Sequence, residues 1–537
     1  MNSNFRQAST LLESFKNPSE KLFSYLTSIY GDDSDLIDRK IEKYSCVLEK
    51  YIEKYGDNKV IISRAPGRIN LMGRHIEHRG GNINPIAIHK ETLMVASLRD
   101  DDKITISNTN SAFSDFTFSI SEEMSLAGST NWLDYIESPN VIDQVQKNKG
   151  HWVNYVKSAV LRFHLESASP FKGMDIMCLG TVPIAGGVSS SSSIVMATAE
   201  LVCEINNLSF ELPTFIGLCG QSEWYVGSRG GAGDHAAIKC GSLDSISPIE
   251  FEPINLLSPI KIPTEYSIIV ADSFIKAKKS EGAKDRFNQM VAAYEFGVML
   301  IKKNFPQFKD KIIHLRDINP KTLGVSEKEI YEMLLSLPLF IAPDELYEQI
   351  PEEYHEKVRR ITNSHAPPEK YNLRSAVYFG ITECERSRIC SKILAEGKIA
   401  DFAKLMNISH NGDRVAITQG TEVADYDYYI TDAKLKTLIK LAEENNENAQ
   451  LYKQPGGYAC STKEIDVLVD KVLLQKGVLG AQISGAGLGG CIMILCKSSS
   501  ASDILDFLQS EYYKPNGYPN GAIIVKTIMF SMCLKFE

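Results

Sequence analysis

The 537-residue chain lacks several features that would identify a class of protein directly. Its apolar runs are shorter than the ~20 residues of a membrane-spanning helix, and its first residues, MNSNFRQAST, contain no apolar signal core. None of its 11 cysteines forms a CxxC pair, so we expect buried free thiols rather than disulfides or a zinc site. These absences predict a cytoplasmic protein that does not act on a membrane.

The chain also has no excess of basic residues over acidic ones. The chain has 58 lysines and arginines against 67 acidic residues, a formal net charge of −9, so no general nucleic-acid-binding surface is expected. Hydrophobic residues make up 43% of the chain, and its length predicts two or more domains with ample cores. The expected partners are therefore small molecules, and the oligomeric state stays open.

Hydrophobic spacing divides the chain into three regions. Residues 1–54 are predicted to form a helical extension that covers an apolar face, docks a partner or mediates dimerisation. Residues 55–262 and 263–537 are predicted to form two domains of a mixed α/β (α+β) fold, the second beginning near a buried strand at 266–274. Residues 305–365 are charged and helical in pattern, and we expect them to be an insertion on the surface.

The individual strands and helices follow from the same patterns. Strands are predicted at 60–65, 92–98, 103–107, 116–120, 174–179, 266–274, 491–496 and 522–530. Helices are predicted at 151–165, 190–206, 213–225, 283–304, 326–336, 370–396 and 399–410.

Residues Pro183–Ser193, PIAGGVSSSSS, join a glycine-rich turn to five serines and then to an apolar helical pattern. Glycine allows the tight turn, and the first N–H groups of a helix have no partner within it. With the hydroxyls and the positive end of the helix dipole, these amides suit a phosphate group. The alternative is a serine-rich loop that caps an ordinary helix. The candidate phosphate ligands are Gly186, Gly187, Ser189, Ser190, Ser191 and Ser192.

Two further glycine-rich segments accompany the serine run: Arg64–Gly81, RAPGRINLMGRHIEHRGG, and Ile483–Ile494, ISGAGLGGCIMI. Three such segments predict a backbone folded closely around a ligand. The chain contains no GxxxxGK[ST], no HRD or DFG motif and no GxGxxG that opens a βαβ unit. These absences exclude a P-loop enzyme and a protein kinase, and they leave a dinucleotide-binding fold without support.

Together the three segments resemble the GHMP kinases, and within them the galactokinase branch. APGRINLMG with HIEHRGG is similar to that branch's sugar-binding signature, PIAGGVSSSSS to its phosphate loop and ISGAGLGGC to its third motif. HWVNYV (151–156), GSRGGAGDH (227–235) and LMNISHNGDRV (405–415) agree, in order along the chain from about residue 58. The resemblance implies a two-domain kinase with its active site in the interdomain cleft. It also implies that ATP and Mg²⁺ are used to phosphorylate a sugar hydroxyl, usually the anomeric one.

The resemblance assigns roles in phosphoryl transfer. Asp234 is the predicted base, because a placed carboxylate can accept the proton of a sugar hydroxyl, whereas without the resemblance it reads as an ordinary turn aspartate. Arg68 is expected beside it, where a guanidinium keeps the carboxylate ionised and helps to neutralise the transferring phosphoryl group. Ser191 and Glu223 are the predicted magnesium ligands. The family's glutamate aligns with Ser222, so the alternative places Glu223 on a helix surface.

The sugar-binding signature departs from the family pattern. The usual Gly-Glu-His-Thr-Asp-Tyr reads here as GRHIEH, residues 73–78. The predicted sugar-site residues are Arg74, His75, Glu77 and Gly80, together with the base. Glu77 keeps a carboxylate, but Arg74 replaces a glutamate that the family links to the C6 hydroxyl of the sugar, and arginine can only donate hydrogen bonds. A second departure is Gly282, where the family usually has tyrosine.

Two interpretations of Arg74 stay open. Either it pairs with a local acid such as Glu77 or Glu91, or it grips a carboxylate at C6 of a hexuronic acid such as galacturonate or glucuronate. The predicted activity is a sugar 1-kinase for a hexose or, favoured by Arg74, a hexuronic acid. A galactokinase or N-acetylgalactosamine kinase is one alternative, and a catalytically inactive, galactokinase-like sugar sensor is another.

Overall fold

The computed structural model describes residues 4–184, 186–276 and 282–536. Its strands are β1 Arg6–Gln7, β2 Lys59–Asn70, β3 Pro85–Leu98, β4 Lys103–Asn108, β5 Phe116–Ser119, β6 Met174–Gly180, β7 Ser245–Ile246, β8 Ile249–Glu250, β9 Asn255–Leu256, β10 Ile260–Lys261, β11 Tyr266–Asp272, β12 Phe340–Ile341, β13 Tyr371–Asn372, β14 Ala416–Gln419, β15 Glu422–Asp425, β16 Val478–Ile483, β17 Cys491–Lys497, β18 Ala522–Ile524 and β19 Met532–Cys533.

The α-helices of the same ranges are α1 Ala8–Lys16, α2 Glu20–Tyr30, α3 Ser34–Tyr55, α4 Ile120–Met124, α5 Trp132–Glu137, α6 Pro139–Lys147, α7 Val153–His164, α8 Ser190–Ile205, α9 Leu212–Ser222, α10 Gly233–Lys239, α11 Ala283–Asn304, α12 Pro320–Leu323, α13 Glu327–Leu335, α14 Leu346–Gln349, α15 His355–Thr362, α16 Leu373–Ala395, α17 Ile399–Asp413, α18 Asp432–Glu443, α19 Lys463–Leu473 and α20 Ala501–Leu508. Among these described helices, none is both long and apolar enough to cross a membrane.

The first part of the chain is built on a sheet with strand order β1-β2-β3-β6-β4-β5, and β19 also pairs with β2. β4 and β6 are parallel, and the other pairs are antiparallel. Successive side chains of β2 enter different cores: Ile61 packs with α7 and α8, whereas Val60 and Ile62 pack with α1 and α3. Both faces of the sheet are therefore buried.

The N-terminal extension forms α1, α2 and α3. α2 begins after Ser19 and α3 after Asp33, and each of these side chains accepts a hydrogen bond from an N–H of the first helical turn. Gly31 and Gly56 follow the two helices, each with a φ of 83° that favours glycine. The apolar faces of the helices pack on the first sheet. Of the three roles predicted for the extension, covering an apolar face is the one that the structure shows.

Glu91 is a buried carboxylate shared by three regions of the chain. It accepts hydrogen bonds from Arg64 Nε at 2.7 Å and from the Tyr30 hydroxyl at 3.0 Å, and it forms an ion pair with Lys40. Arg64 also donates to the carbonyl of Phe530 at 2.7 Å. Burial opposes the charge of Glu91, but the two cations outweigh it and lower the pKa of this carboxyl. The extension and the first sheet therefore meet at one ionised group, and Arg64 links that group to the C-terminal tail.

The second part of the chain is built on the antiparallel sheet β16-β17-β11-β18. Alternate residues of β11 again face different layers: Ile269 packs with α19 and α20, and Ile268 packs with α17. β11 lies within the strand predicted at 266–274, and in chain order it is the first strand of this sheet.

Residues 305–365 are helical, but the expectation of a surface insertion is wrong. Leu315, Tyr331 and Leu334 are buried in one core with α11 and α16. The short helices of this region are amphipathic, so their charged faces dominate the composition while their apolar faces pack inward.

The last residues of the chain return to the first sheet. The strand predicted at 522–530 ends at Ile524, and the chain then crosses to β19, which pairs with β2. Leu534 enters the core formed by α1 and α3 on the first sheet. The predicted second domain, 263–537, is therefore corrected: its final residues belong to the core of the first part.

Glu91→Gln is expected to destabilise the fold by about 3–5 kcal/mol, because it leaves Arg64 and Lys40 buried without their anion. Urea-induced unfolding followed by tryptophan fluorescence measures the change. Glu53→Gln removes a contact to Lys50 on the solvent-exposed surface and should leave the unfolding midpoint unchanged. Equal midpoints for wild type and Glu91→Gln would contradict the importance of this group.

Candidate active site

The serine run and the third glycine segment lie against each other. Gly187 has a φ of 70°, and a Cβ added to Gly485 would lie 2.7 Å from the Gly187 Cα. The N–H of Cys491 donates to the Gly186 carbonyl at 3.0 Å. This close approach of two backbones requires glycine. Ala185, which also belongs to the serine-run segment, lies outside the described residues.

The first glycine segment joins the other two through Arg68. The Arg68 N–H donates to the Val188 carbonyl at 3.1 Å, and its Nη1 donates to the Gly187 carbonyl at 3.0 Å. Gly67 permits this contact, because a Cβ at that position would lie 2.8 Å from the Val188 carbonyl oxygen. The three glycine segments therefore meet, as the sequence predicts.

Asp234 lies in the first turn of α10 at this meeting point. Its Oδ1 accepts hydrogen bonds from Arg68 Nε at 2.8 Å and Nη2 at 2.5 Å, and its Oδ2 accepts one from the Ser189 hydroxyl at 2.5 Å. Burial opposes the charge of Asp234, but Arg68 and Ser189 outweigh it and lower the pKa of this carboxyl. The Asp234 side chain is 39% exposed, against 8% for Arg68. The result is an ionised carboxylate that a ligand can reach.

Ser189 directs its hydroxyl to the carboxylate of Asp234 and not to the helix that follows. Its backbone is left-handed, with a φ of 65°, which is uncommon for a residue other than glycine. No side chain in the described structure caps α8, so the N–H groups of its first turn stay available. The alternative of an ordinary serine cap is therefore not what the structure contains.

The other serines of the run divide into two groups. Ser190 and Ser191 are half-buried at the start of α8. Ser192 is 1% exposed, and its hydroxyl donates to Glu223 Oε1 at 2.7 Å. Ser193 is also buried and donates to the Ser190 carbonyl at 2.8 Å. The Ser192 side chain therefore supports Glu223 from within the protein, and a contact of Ser192 with ATP through its backbone N–H stays a prediction.

Glu223 is the carboxylate that faces the serine run. α9 ends at Ser222, which is fully buried and donates to a carbonyl of its own helix at 2.9 Å. Glu223 begins the following 3₁₀ turn, and this change of helix type brings its carboxylate to Ser192. Glu223, one residue after the position that aligns with the family's glutamate, is therefore the carboxylate that meets the serine run. The oxygen donors of Glu223 and Ser191 are of the kind that Mg²⁺ prefers.

Glu77 fits closely against the loop that precedes Asp234. A Cβ on Gly233 would lie 2.8 Å from the Glu77 Cγ, and one on Gly231 would lie 3.0 Å from its Oε1. Burial opposes the charge of Glu77, but contact with His78 outweighs it and lowers the pKa of this carboxyl. Two ionised carboxylates, Glu77 and Asp234, therefore border the same space.

Gly80 shapes the sugar-binding signature through its backbone. It ends the 3₁₀ turn Glu77–Arg79 with a φ of 79°, and its carbonyl accepts a hydrogen bond from Arg316 Nη1 at 2.9 Å. Arg316 also binds the carbonyls of Phe251 and Glu252. The sequence prediction missed Arg316, because it lies in the region 305–365 that no motif covers.

Arg74 pairs with Asp413 and not with Glu77 or Glu91. Its Nη2 lies 2.6 Å from Asp413 Oδ2 and donates to the Ser409 hydroxyl at 3.1 Å. Arg74 is 3% exposed, and its charge is compensated by a carboxylate of α17. Arg74 therefore pairs with an acid, as one interpretation predicts, but the acid is Asp413 rather than Glu77 or Glu91. The expectation that Arg74 meets a substituent of the sugar loses its geometric basis.

His75 also turns toward the second part of the chain. Its ring stacks on Tyr458 at 4.4 Å between centroids, and its Nε2 lies 3.4 Å from Cys460 Sγ. Burial, together with the charge of Arg74, holds the pKa of His75 well below its usual value, so the ring is neutral. No role was predicted from the sequence for Tyr458, Cys460 or Asp413, because their contacts with the sugar-binding signature join distant parts of the chain. Residues 277–281, which precede Gly282, lie outside the described residues.

Three known family models match parts of this chain. The galactokinase galactose-binding signature matches residues 49–98, the GHMP kinases N terminal domain matches 154–242, and the GHMP kinases C terminal domain matches 429–514. A galactokinase of Dictyostelium discoideum is 23% identical over 516 residues, which span 94% of this chain and 93% of the relative. The chain belongs to the galactokinase-like branch of the GHMP kinases. It is thus a phosphotransferase with an alcohol group as acceptor, and kinases of this branch use ATP.

Other relatives of this galactokinase-like kinase extend the comparison. A galactokinase of Saccharomyces cerevisiae is 25% identical over 543 residues, covering 92% of this chain and 94% of the relative. The crystal structure of Lactococcus lactis galactokinase complexed with galactose superposes with a TM-score of 0.61 at 22% identity, over 90% of this chain and 98% of that one. The predicted mixed α and β kinase fold is confirmed.

Ser189→Ala is expected to move the acid limb of the pH–kcat/KM profile to higher pH. The substitution removes a hydrogen bond to the Asp234 carboxylate, which raises the pKa of that carboxyl, and the ionised form is the one that accepts a proton. Kinase assays across the acidic range measure the shift. Ser193→Ala removes a hydroxyl bonded elsewhere and should leave the limb in place. An unmoved limb in Ser189→Ala would refute the contact.

Proposed function

We propose that this chain transfers the γ-phosphoryl group of ATP to the anomeric hydroxyl of a neutral hexose, with galactose as the preferred acceptor. The observation that carries the proposal is the partly exposed, ionised Asp234, which Arg68 and Ser189 hold where three glycine segments meet. The galactokinase signature and the names of the relatives support galactose.

Each residue of the site has a separate role in the proposed reaction. Asp234 accepts the proton of the attacking hydroxyl, and Arg68 keeps this carboxylate ionised and offsets charge on the transferring group. The uncapped N–H groups at the start of α8 bind phosphate oxygens with the aid of the helix dipole. Glu77 accepts hydrogen bonds from sugar hydroxyls.

Magnesium would be held by Glu223 and the Ser191 hydroxyl, with phosphate oxygens and water completing its shell. When bound, it would offset negative charge on the phosphates. Ser192 orients Glu223 for this role through the hydrogen bond of 2.7 Å between them.

A hexuronic acid is the competing acceptor. It requires an arginine whose charge is free to meet a carboxylate, whereas Arg74 is buried and paired with Asp413. Burial raises the pKa of Asp413 to about 6 in spite of Arg74, so the pair is charged on both sides at neutral pH. This geometry favours a neutral sugar. The contacts around Asp234 likewise favour an active kinase over an inactive sensor.

Asp234→Asn should bind ATP as wild type does but lose about 10²–10⁴-fold in kcat, because the amide cannot accept the hydroxyl proton. ADP release with galactose measures turnover, and calorimetry measures ATP binding. Asp244→Asn, an exposed aspartate outside the site, is the matched control and should retain full turnover. Turnover of Asp234→Asn near the wild-type rate would exclude Asp234 as the base.

A panel of galactose, N-acetylgalactosamine, galacturonate and glucuronate should give the highest kcat/KM with galactose. Arg74→Gln should lower thermal stability, because it leaves Asp413 buried without its cation, while the order of sugars stays the same. A preference for galacturonate that disappears in Arg74→Gln would reverse the assignment. The absence of ADP release with every sugar, with ATP binding retained, would indicate a sensor.

A further inference from the structure

Three side chains with metal-binding donors converge outside the phosphoryl-transfer residues. They are His75 of the sugar-binding signature, Asp413 at the end of α17 and Cys460 before α19. Cys460 Sγ lies 3.4 Å from His75 Nε2 and 3.1 Å from Asp413 Oδ1, and the last two atoms are 3.9 Å apart. All three residues are buried. One imidazole, one carboxylate and one thiol therefore face a common point.

The spacing of these donors fits a tetrahedral zinc-class ion. Zinc binds sulfur at about 2.3 Å, and nitrogen and oxygen at about 2.0–2.2 Å, so its ligand atoms lie roughly 3.4–3.6 Å apart in tetrahedral geometry. The observed separations of 3.1–3.9 Å require only small movements. Imidazole and thiolate select zinc-class metals over magnesium or calcium.

Neighbouring groups hold the ligands in orientation. Arg74 Nη2 lies 2.6 Å from Asp413 Oδ2, which leaves Oδ1 directed at the thiol. The His75 ring is fixed by stacking on Tyr458. The carbonyl of Cys460 accepts a hydrogen bond from the Leu488 N–H at 2.6 Å. These contacts restrict the movement of the three side chains.

A thiol binds a metal ion as the thiolate, so binding at this cluster would release the Cys460 proton to solvent. The divalent cation would then lie between the sulfur of Cys460 and the Oδ1 atom of Asp413, which are 3.1 Å apart.

We propose that His75, Asp413 and Cys460 form a binding site for zinc or a similar divalent transition metal, distinct from the magnesium site at Glu223. The cluster supplies three donors within the described part of the chain, so water occupies the fourth position of a tetrahedral ion. The ion would join the sugar-binding signature to two segments of the second half. The proposal stands independently of the sugar and of the kinase activity.

Cobalt(II) titration of the full chain, after removal of metals with a chelator, tests the site without substrates. We expect one equivalent of Co²⁺ to produce a sulfur-to-cobalt charge-transfer band with intense visible bands of tetrahedral cobalt, and Zn²⁺ to abolish them. Cys460→Ser should lose the charge-transfer band. Asp413→Asn should weaken cobalt binding by at least about tenfold.

Two control variants separate this site from others. Cys384→Ser changes a buried thiol outside the cluster, and Glu223→Gln changes the proposed magnesium carboxylate; both should keep the band. Circular dichroism establishes that each variant is folded. For the wild type, Zn²⁺ should also raise the thermal unfolding midpoint. The absence of the band in wild type, or its retention in Cys460→Ser, would overturn the proposal.

Discussion

The buried charge of Glu91 is the constraint on which the position of the active site depends. Its ion pair with Arg64 holds β2 against the neighbouring strand, and the same strand carries Arg68 four residues further on. Between them a bulge at Pro66 and Gly67 redirects the backbone, so that Arg68 reaches Asp234. Because removing one partner of a buried ion pair leaves an uncompensated charge, this anchor is costly to disturb.

Two arginines of the first glycine segment each form an ion pair with an aspartate, and the two pairs differ in their exposure to solvent. Arg68 and Asp234 meet where the carboxylate is 39% exposed, so the pair can act on a ligand. Arg74 and Asp413 meet where both side chains are almost fully buried, so their charges compensate each other and join the two halves of the chain. The first pair therefore suits phosphoryl transfer, and the second suits the shape and cohesion of the sugar-binding loop.

Much of the fold could be predicted from local pattern. The helix predicted at 190–206 is Ser190–Ile205, and the one predicted at 283–304 has the same limits in the structure. The sequence predictions differ from the structure where one local pattern is compatible with two structures. Amphipathic helices at 305–365 have the composition of a surface insertion, yet they share a core with α11 and α16. The apolar run at 522–530 reads as one strand, but tertiary pairing ends it at Ile524.

The sequence by itself determined the order of the main helices and strands and the three glycine segments, because these depend on local pattern. It also determined the pairing of Asp234 with Arg68, which the resemblance to the family implies. Tertiary structure alone decided that Glu223 faces Ser192 and that Arg74 binds Asp413. It also decided that the N-terminal helices cover the first sheet. Each of these depends on contacts between residues far apart in the chain, and hydrophobic period and charge do not specify which distant group becomes the partner.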